Sequence, residues 1–193
     1  MIVYLHGFRS SPASRKATML RDALTARGRA DEYRCPALVP SPARAVDQVL
    51  QVVANEVPER LALIGSSLGG YYATWLAERL GCRAALLNPA IRPQDDLARF
   101  LGEQPVYFSD ATIEFRREYL GELDDIDTPT ISRPERYFLL AATGDTVIDY
   151  RAMVHKYAGA RQRIIAGGDH ELSDFAQYLD EVLAFCDGQR VGN

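Results

Sequence analysis

Leu61-Ala62-Leu63-Ile64 is an unbroken apolar run, and Gly65-Ser66-Ser67-Leu68-Gly69-Gly70 follows it at once. A strand with one wet face would alternate apolar and polar residues, so a continuous run suits a strand covered on both faces. Tyr72, Trp75, Leu76 and Leu80 then recur at helical spacing, and Gly81 stands where that helix would end. This stretch therefore reads as a buried strand that turns sharply into a helix. A strand buried on both sides requires helices above and below it.

The rest of the chain supplies them. Ile2 to Leu5 forms a first buried strand, closed by Gly7. A helix carrying Ala17, Leu20 and Leu24 follows the turn-rich Ser10 to Ser14, and Gly28 is placed to end it. Tyr33 to Leu38 reads as a short strand, weakened by Pro36. Ser41-Pro42 has the form of an N-cap followed by proline at the first helical position, with Val46, Val49, Leu50 and Val53 on one face behind it. Ala84 to Leu87, Tyr137 to Ala142 and Arg163 to Ala166 are further strands. A last helix, capped by Ser173, shows Phe175, Tyr178, Leu179, Val182 and Leu183. Strands alternating with helices specify an α/β fold, here with a mainly parallel sheet of about six strands and helices on both faces. Residues 1–193 are expected to form one domain. Residues 90–136, rich in charge, aromatics and proline and too long for a simple loop, are expected to form a small, mostly helical cap insertion within it. Gln189 to Asn193 are expected to fray.

The composition removes several classes of function. Lys and Arg total 22 against 26 Asp and Glu, a net charge of −4, which argues against a nucleic-acid binder. No segment approaches the roughly 20 apolar residues of a transmembrane helix, and the start lacks the charged and apolar regions of a signal peptide. Cys35, Cys82 and Cys186 are odd in number and widely spaced, which fits free thiols in a reducing compartment. A cytoplasmic location is expected. No two of the three histidines have metal-ligand spacing, so no metal site is expected. Composition leaves the oligomeric state open.

The chemistry gathers at the ends of the strands. Ser67 lies in a Gly-x-Ser-x-Gly turn between strand and helix, a geometry that lifts a serine hydroxyl clear of a sheet. Gly65 and Gly69 give the backbone room to pass. A serine needs a base to take its proton. His170 follows the last strand, on the edge where Ser67 sits. His155 belongs to a surface helix, and His6, next to Gly7, is expected to shape its loop rather than act as base. An acid should orient the imidazole. Asp145 follows the next-to-last strand, with Asp149 four residues on as the alternative acid. Two backbone N–H groups, of Leu68 at the helix start and Phe8 after the first strand, are candidates to hold a developing oxyanion.

Several motifs together resemble the YqiA-type esterases, a small branch of the α/β-hydrolase superfamily. They are Tyr4-Leu5-His6-Gly7-Phe8-Arg9-Ser10-Ser11-Pro12 with Ser14 and Lys16, the glycine-serine turn extended through Tyr71-Tyr72, Asn88-Pro89-Ala90, Thr143-Gly144-Asp145, and Gly167-Gly168-Asp169-His170. They span nearly the whole chain in order. The resemblance implies the α/β-hydrolase fold and cofactor-free hydrolysis of carboxylic esters, including acyl-CoA thioesters. By position it supports Ser67, Asp145 and His170. The expected partner is a small ester or thioester. Arg92, Arg99, Arg116 and Arg117 either meet an anionic group such as a CoA phosphate or solvate helix faces. The alternative is a non-catalytic protein of the same fold that uses its cleft to bind a ligand or partner. A third reading keeps the three residues but cleaves an amide or carbon–carbon bond.

Overall fold

A computed structural model describes residues 1–107 and 109–188. The expected fraying of Gln189 to Asn193 lies outside the described residues.

The chain begins with β1 (Ile2–Leu5), α1 (Arg15–Ala26) and a two-residue β2 (Tyr33–Arg34). Then come α2 (Pro42–Val52), β3 (Ala62–Ser66), α3 (Leu68–Leu80) and β4 (Arg83–Leu87). After α4 (Pro93–Leu97), strands β5 (Gly102–Pro105) and β6 (Thr112–Phe115) form an antiparallel pair. The chain continues through α5 (Glu118–Asp125), β7 (Tyr137–Ala142), α6 (Tyr150–Lys156), β8 (Arg161–Ile165) and α7 (Leu179–Cys186). The main sheet has six strands in the order β2-β1-β3-β4-β7-β8, and every pair in it is parallel.

Side chains alternate across a pleated strand, and here both faces are dry. Val3, Leu5, Leu63, Leu86 and Leu139 face a core completed by Val46 and Val49 of α2, Tyr72 and Leu76 of α3, and Met153 of α6. Tyr4, Ile64, Leu87, Phe138 and Leu140 face the opposite core, with Leu20 and Leu24 of α1 and Val182 and Leu183 of α7. Burial on both faces is the physical reason that the central strands carry no polar alternation.

The expected elements depart from the structure in three places. The strand at Tyr33 to Leu38 ends after Arg34, just ahead of Cys35-Pro36, because proline offers the neighbouring strand no N–H. Ser173 does not cap α7. A short 3₁₀ turn at Phe175–Gln177 intervenes, and the Ser173 N–H bonds to Asp169 Oδ1 instead. The segment 90–136 is only partly helical. It contains the β5-β6 hairpin, whose residues are mostly exposed and so carry no apolar alternation. No helix among the described residues is long and apolar enough to cross a membrane.

Leu63 is fully buried at the centre of the sheet. Leu63→Ala is expected to lower unfolding stability by about 2–5 kcal/mol, through lost burial and the cavity left behind. Urea melts measure this; an unchanged midpoint would mean that this part of the core collapses around the gap.

Candidate active site

The order of the sheet decides where a site can form. From β1 the chain moves outward to β2 and returns across to β3, so the direction of winding reverses between β1 and β3. A crevice opens beyond the carboxyl ends of parallel strands at such a reversal. His6-Gly7-Phe8 leaves β1 there, and Ser67 leaves β3 there.

Ser67 has φ 53° and ψ −121°, a backbone region that side-chain-bearing residues rarely occupy. The turn closes because residues 65 and 69 lack side chains. A Cβ on Gly65 would lie 2.3 Å from the Gly69 carbonyl oxygen, and one on Gly69 would lie 2.0 Å from the Leu5 carbonyl oxygen. Neither separation is physically tolerable, so the motif welds α3 to the ends of β1 and β3.

The structure brings Ser67, His170 and Asp145 into one chain of hydrogen bonds. His170 Nε2 lies 3.1 Å from Ser67 Oγ, and His170 Nδ1 lies 2.7 Å from Asp145 Oδ2. An ionised carboxylate only accepts, so Nδ1 carries the proton and Nε2 is left to accept from the serine. The Asp145 side chain is wholly buried. Burial opposes its charge, but the hydrogen bond from His170 and the N–H groups of Ile148 and Val147 outweigh that cost and hold its pKa below the ordinary carboxylate value. Asp149 is elsewhere: it caps α6, accepting from the Arg151 N–H at 2.9 Å.

Of the two nominated N–H donors, that of Leu68 directly follows the serine and that of Phe8 directly follows Gly7. Among the described residues neither Phe8 N–H nor Leu68 N–H has a hydrogen-bond partner. Gly7 comes so near the serine that a Cβ there would stand 3.3 Å from Ser67 Cβ. The Phe8 ring packs on Phe100 and Phe115, at centroid distances of 5.7 and 5.1 Å, which ties its loop to the segment 90–136. A cleft of about 40 Å³ opens beside Gly7 and Leu68, with Phe8, Leu38, Val39, Tyr72, Val106 and Ile113 among its walls.

His6 shapes this loop. Its Nδ1 donates to the Gly7 carbonyl at 3.0 Å, and its Nε2 accepts from the Leu38 N–H at 3.1 Å. His155 is exposed on α6. Arg92 pairs with Asp95 and Arg116 with Glu114, so both are engaged by carboxylates on the surface. Among the described residues no cluster of side chains suits a metal ion. Sequence reasoning overlooked Asn88 and Lys16. Both are buried, and both donate hydrogen bonds to backbone carbonyls of the loop that bears His170. Both were legible only as parts of the motifs that carry the resemblance.

The fold is shared widely. A protein from Agrobacterium vitis S4 superposes with a TM-score of 0.76 at 20% identity, over 96% of this chain and 87% of that one. Mouse alpha/beta hydrolase domain-containing protein 10 gives 0.68 at 14% identity, over 94% and 88%. Est1E from Butyrivibrio proteoclasticus, solved with ferulic acid bound, gives 0.66 at 16% identity, over 97% and 88%. The parallel six-stranded sheet with its flanking helices is thus an α/β-hydrolase fold. Within that class the chain belongs to UPF0227, an uncharacterised protein family whose model matches residues 1–187 and which is the YqiA-like family that the motifs resemble.

His6 also makes a pH dependence readable. Burial disfavours its charged form and lowers its pKa from 6.5, the hydrogen bond to Gly7 offsetting this only in part. A proton on Nε2 would moreover face the Leu38 N–H. The stability contributed by neutral His6 is complete above about pH 6.5. It is lost as the pH falls through the lowered folded value, because the unfolded chain takes up a proton that the folded chain resists. In urea melts between pH 5 and 8, wild type is expected to lose more stability on acidification than His6→Gln, whose amide oxygen still accepts from Leu38. Equal losses would assign the effect to other groups.

Proposed function

We propose that the chain is a serine hydrolase that cleaves carboxylic esters through an acyl-enzyme intermediate. The observation that carries this reading is the continuous Asp145–His170–Ser67 hydrogen-bond chain, with Ser67 held at a positive φ that side-chain-bearing residues rarely adopt. Strain of this kind is stored where it serves a mechanism. A cleft used only for binding would need neither the strained serine nor a buried acid behind the imidazole, so the catalytic reading is preferred to the non-catalytic one.

The reaction follows from the atoms. His170 Nε2 takes the Ser67 proton as Oγ forms a bond to the ester carbonyl carbon. The carbonyl oxygen becomes an oxyanion between the Leu68 and Phe8 N–H groups, and α3 begins at that same point. The tetrahedral intermediate collapses, the bond to the leaving oxygen breaks, and that oxygen receives the proton from His170. Water then enters, gives a proton to the same nitrogen and attacks the acyl carbon. A second collapse frees the carboxylic acid and returns the proton to Ser67. Asp145 holds Nδ1–H throughout and stabilises the imidazolium. No step draws on a group from outside the chain other than substrate and water.

The cleft beside Leu68, lined by both apolar and polar side chains, is the natural seat of the acyl group. A thioester would follow the same steps. The segment 90–136 acts as a cap within a single domain, holding Phe8 against Phe100 and Phe115 and so fixing one oxyanion donor.

Ser67→Ala is expected to lose on the order of 10⁴–10⁶ in kcat with its fold intact. Assays on p-nitrophenyl esters, with circular dichroism as the control, measure it, and substantial turnover in the variant removes Ser67 from its role.

Asp145→Asn is expected to lose at least about a hundredfold more kcat than Asp149→Asn, because only the former disturbs the tautomer of His170. If Asp149→Asn proves the crippled variant, the acid has been assigned to the wrong side chain.

A further inference from the structure

His170 reaches Ser67 on a loop that leaves the sheet through two glycines. β8 ends at Ile165, and the chain then passes through Gly167 and Gly168, both at positive φ (74° and 73°). Consecutive glycines leave a backbone many alternatives, so the strand alone does not fix where the imidazole sits. Yet three successive carbonyls of this loop are each gripped by a buried side chain from another part of the fold. Asn88 Nδ2 donates to the carbonyl of Asp169 at 3.0 Å and to that of His170 at 3.1 Å. Lys16 Nζ donates to the carbonyl of Glu171 at 2.6 Å.

Both grips are themselves anchored. Asn88 is fully buried at the end of β4; its Oδ1 accepts from the Ala142 N–H at 2.9 Å, and its own N–H donates to the Leu140 carbonyl. It therefore joins the His170 loop to the end of β7, three residues ahead of Asp145. Lys16 lies in the first turn of α1, only 7% exposed, and also reaches the Glu171 carboxylate at 3.4 Å. Packing alone does not call for a cation at position 16. A buried ammonium is costly to desolvate, and methionine would fill the same space without that cost.

We propose that Asn88 and Lys16 are positioning residues that set the imidazole of His170 against Ser67 by holding the carbonyls of residues 169, 170 and 171. The proposal rests on the reading of Ser67, His170 and Asp145 as the reacting groups. It adds two residues that touch no substrate and act through the backbone.

Asn88→Asp and Lys16→Met test it. The aspartate keeps an acceptor for the Ala142 N–H but turns the donor toward residues 169 and 170 into a second acceptor. The methionine keeps the stem of Lys16 and removes its donors. Each variant is expected to lower kcat about ten- to a hundredfold with KM little changed, the scale attached to a misplacement near 1 Å. Each should also slow labelling of Ser67 by a fluorophosphonate by a similar factor, while the final labelled fraction matches wild type. The fraction counts folded sites, and the rate reports how well serine and imidazole are aligned. Lys16→Arg, which restores a cationic donor, should recover part of the rate. Wild-type rates with only the melting temperature or the labelled fraction reduced would make both side chains purely structural and overturn the proposal. Failure of wild-type protein to label at Ser67 is a different result and removes the hydrolase reading itself. If Asn88→Asp does not fold, Lys16→Met decides alone.

Discussion

Ser67 is held at a positive φ by hydrogen bonds from three directions. Its N–H donates to the Leu87 carbonyl at 3.1 Å, and its carbonyl accepts from Gly70 at 2.9 Å and from Ala90 at 3.0 Å. Such a conformation costs on the order of 1–3 kcal/mol and persists only where its surroundings over-determine it. Here they do: β4, the start of α3 and the segment after β4 all hold the same residue. The geometry of every other group in the site is defined relative to this turn. Gly7 approaches it, Leu68 leaves it, and the imidazole of His170 is brought up to it.

The parallel sheet turns one fixed point into a site. All six strands run the same way, so the residues that follow β1, β3, β7 and β8 emerge at one edge. Neighbouring turns are then locked to one another. Thr143 N–H donates to the Ile165 carbonyl, and Gly144 N–H to the Gly167 carbonyl at 2.8 Å. A Cβ on Gly144 would lie 2.3 Å from the Gly168 carbonyl oxygen, so the turn that leads to Asp145 and the loop that leads to His170 pack backbone against backbone. The acid and the imidazole meet because their supporting loops leave no space between them.

What the sequence made legible was whatever leaves a pattern in one dimension. Leu61 to Ile64 announces a doubly covered strand because each residue must be apolar on either face. Gly65 and Gly69 announce a sharp turn because any side chain there would overlap backbone. The order of Ser67, Asp145 and His170 follows from strands succeeding one another along the chain. The hairpin at Gly102–Pro105 and Thr112–Phe115 left no such trace, since its side chains are largely exposed and free to be polar. Asn88 and Lys16 were illegible for another reason. Each acts on the carbonyl of a distant residue, and a carbonyl exists at every position, so no residue type on the receiving side marks the contact. Choosing Asp145 over Asp149 was a matter of distance from the strand end, but the reason for their different fates is three-dimensional: one turns inward beneath His170 while the other begins a helix.

The strand order also governs when the site comes into being. β3 lies inside the sheet, with β1 on one side and β4 on the other, while β8 is an edge strand added after β7. The serine turn can therefore be complete in a chain whose last strand has not yet docked. On the proposed reading, such a chain carries an ordinary alcohol in an unusual posture, with no base beside it. Hydrolytic competence then arrives only when β8 and the loop after it dock, and a molecule in which they have not docked is chemically silent toward the esters around it.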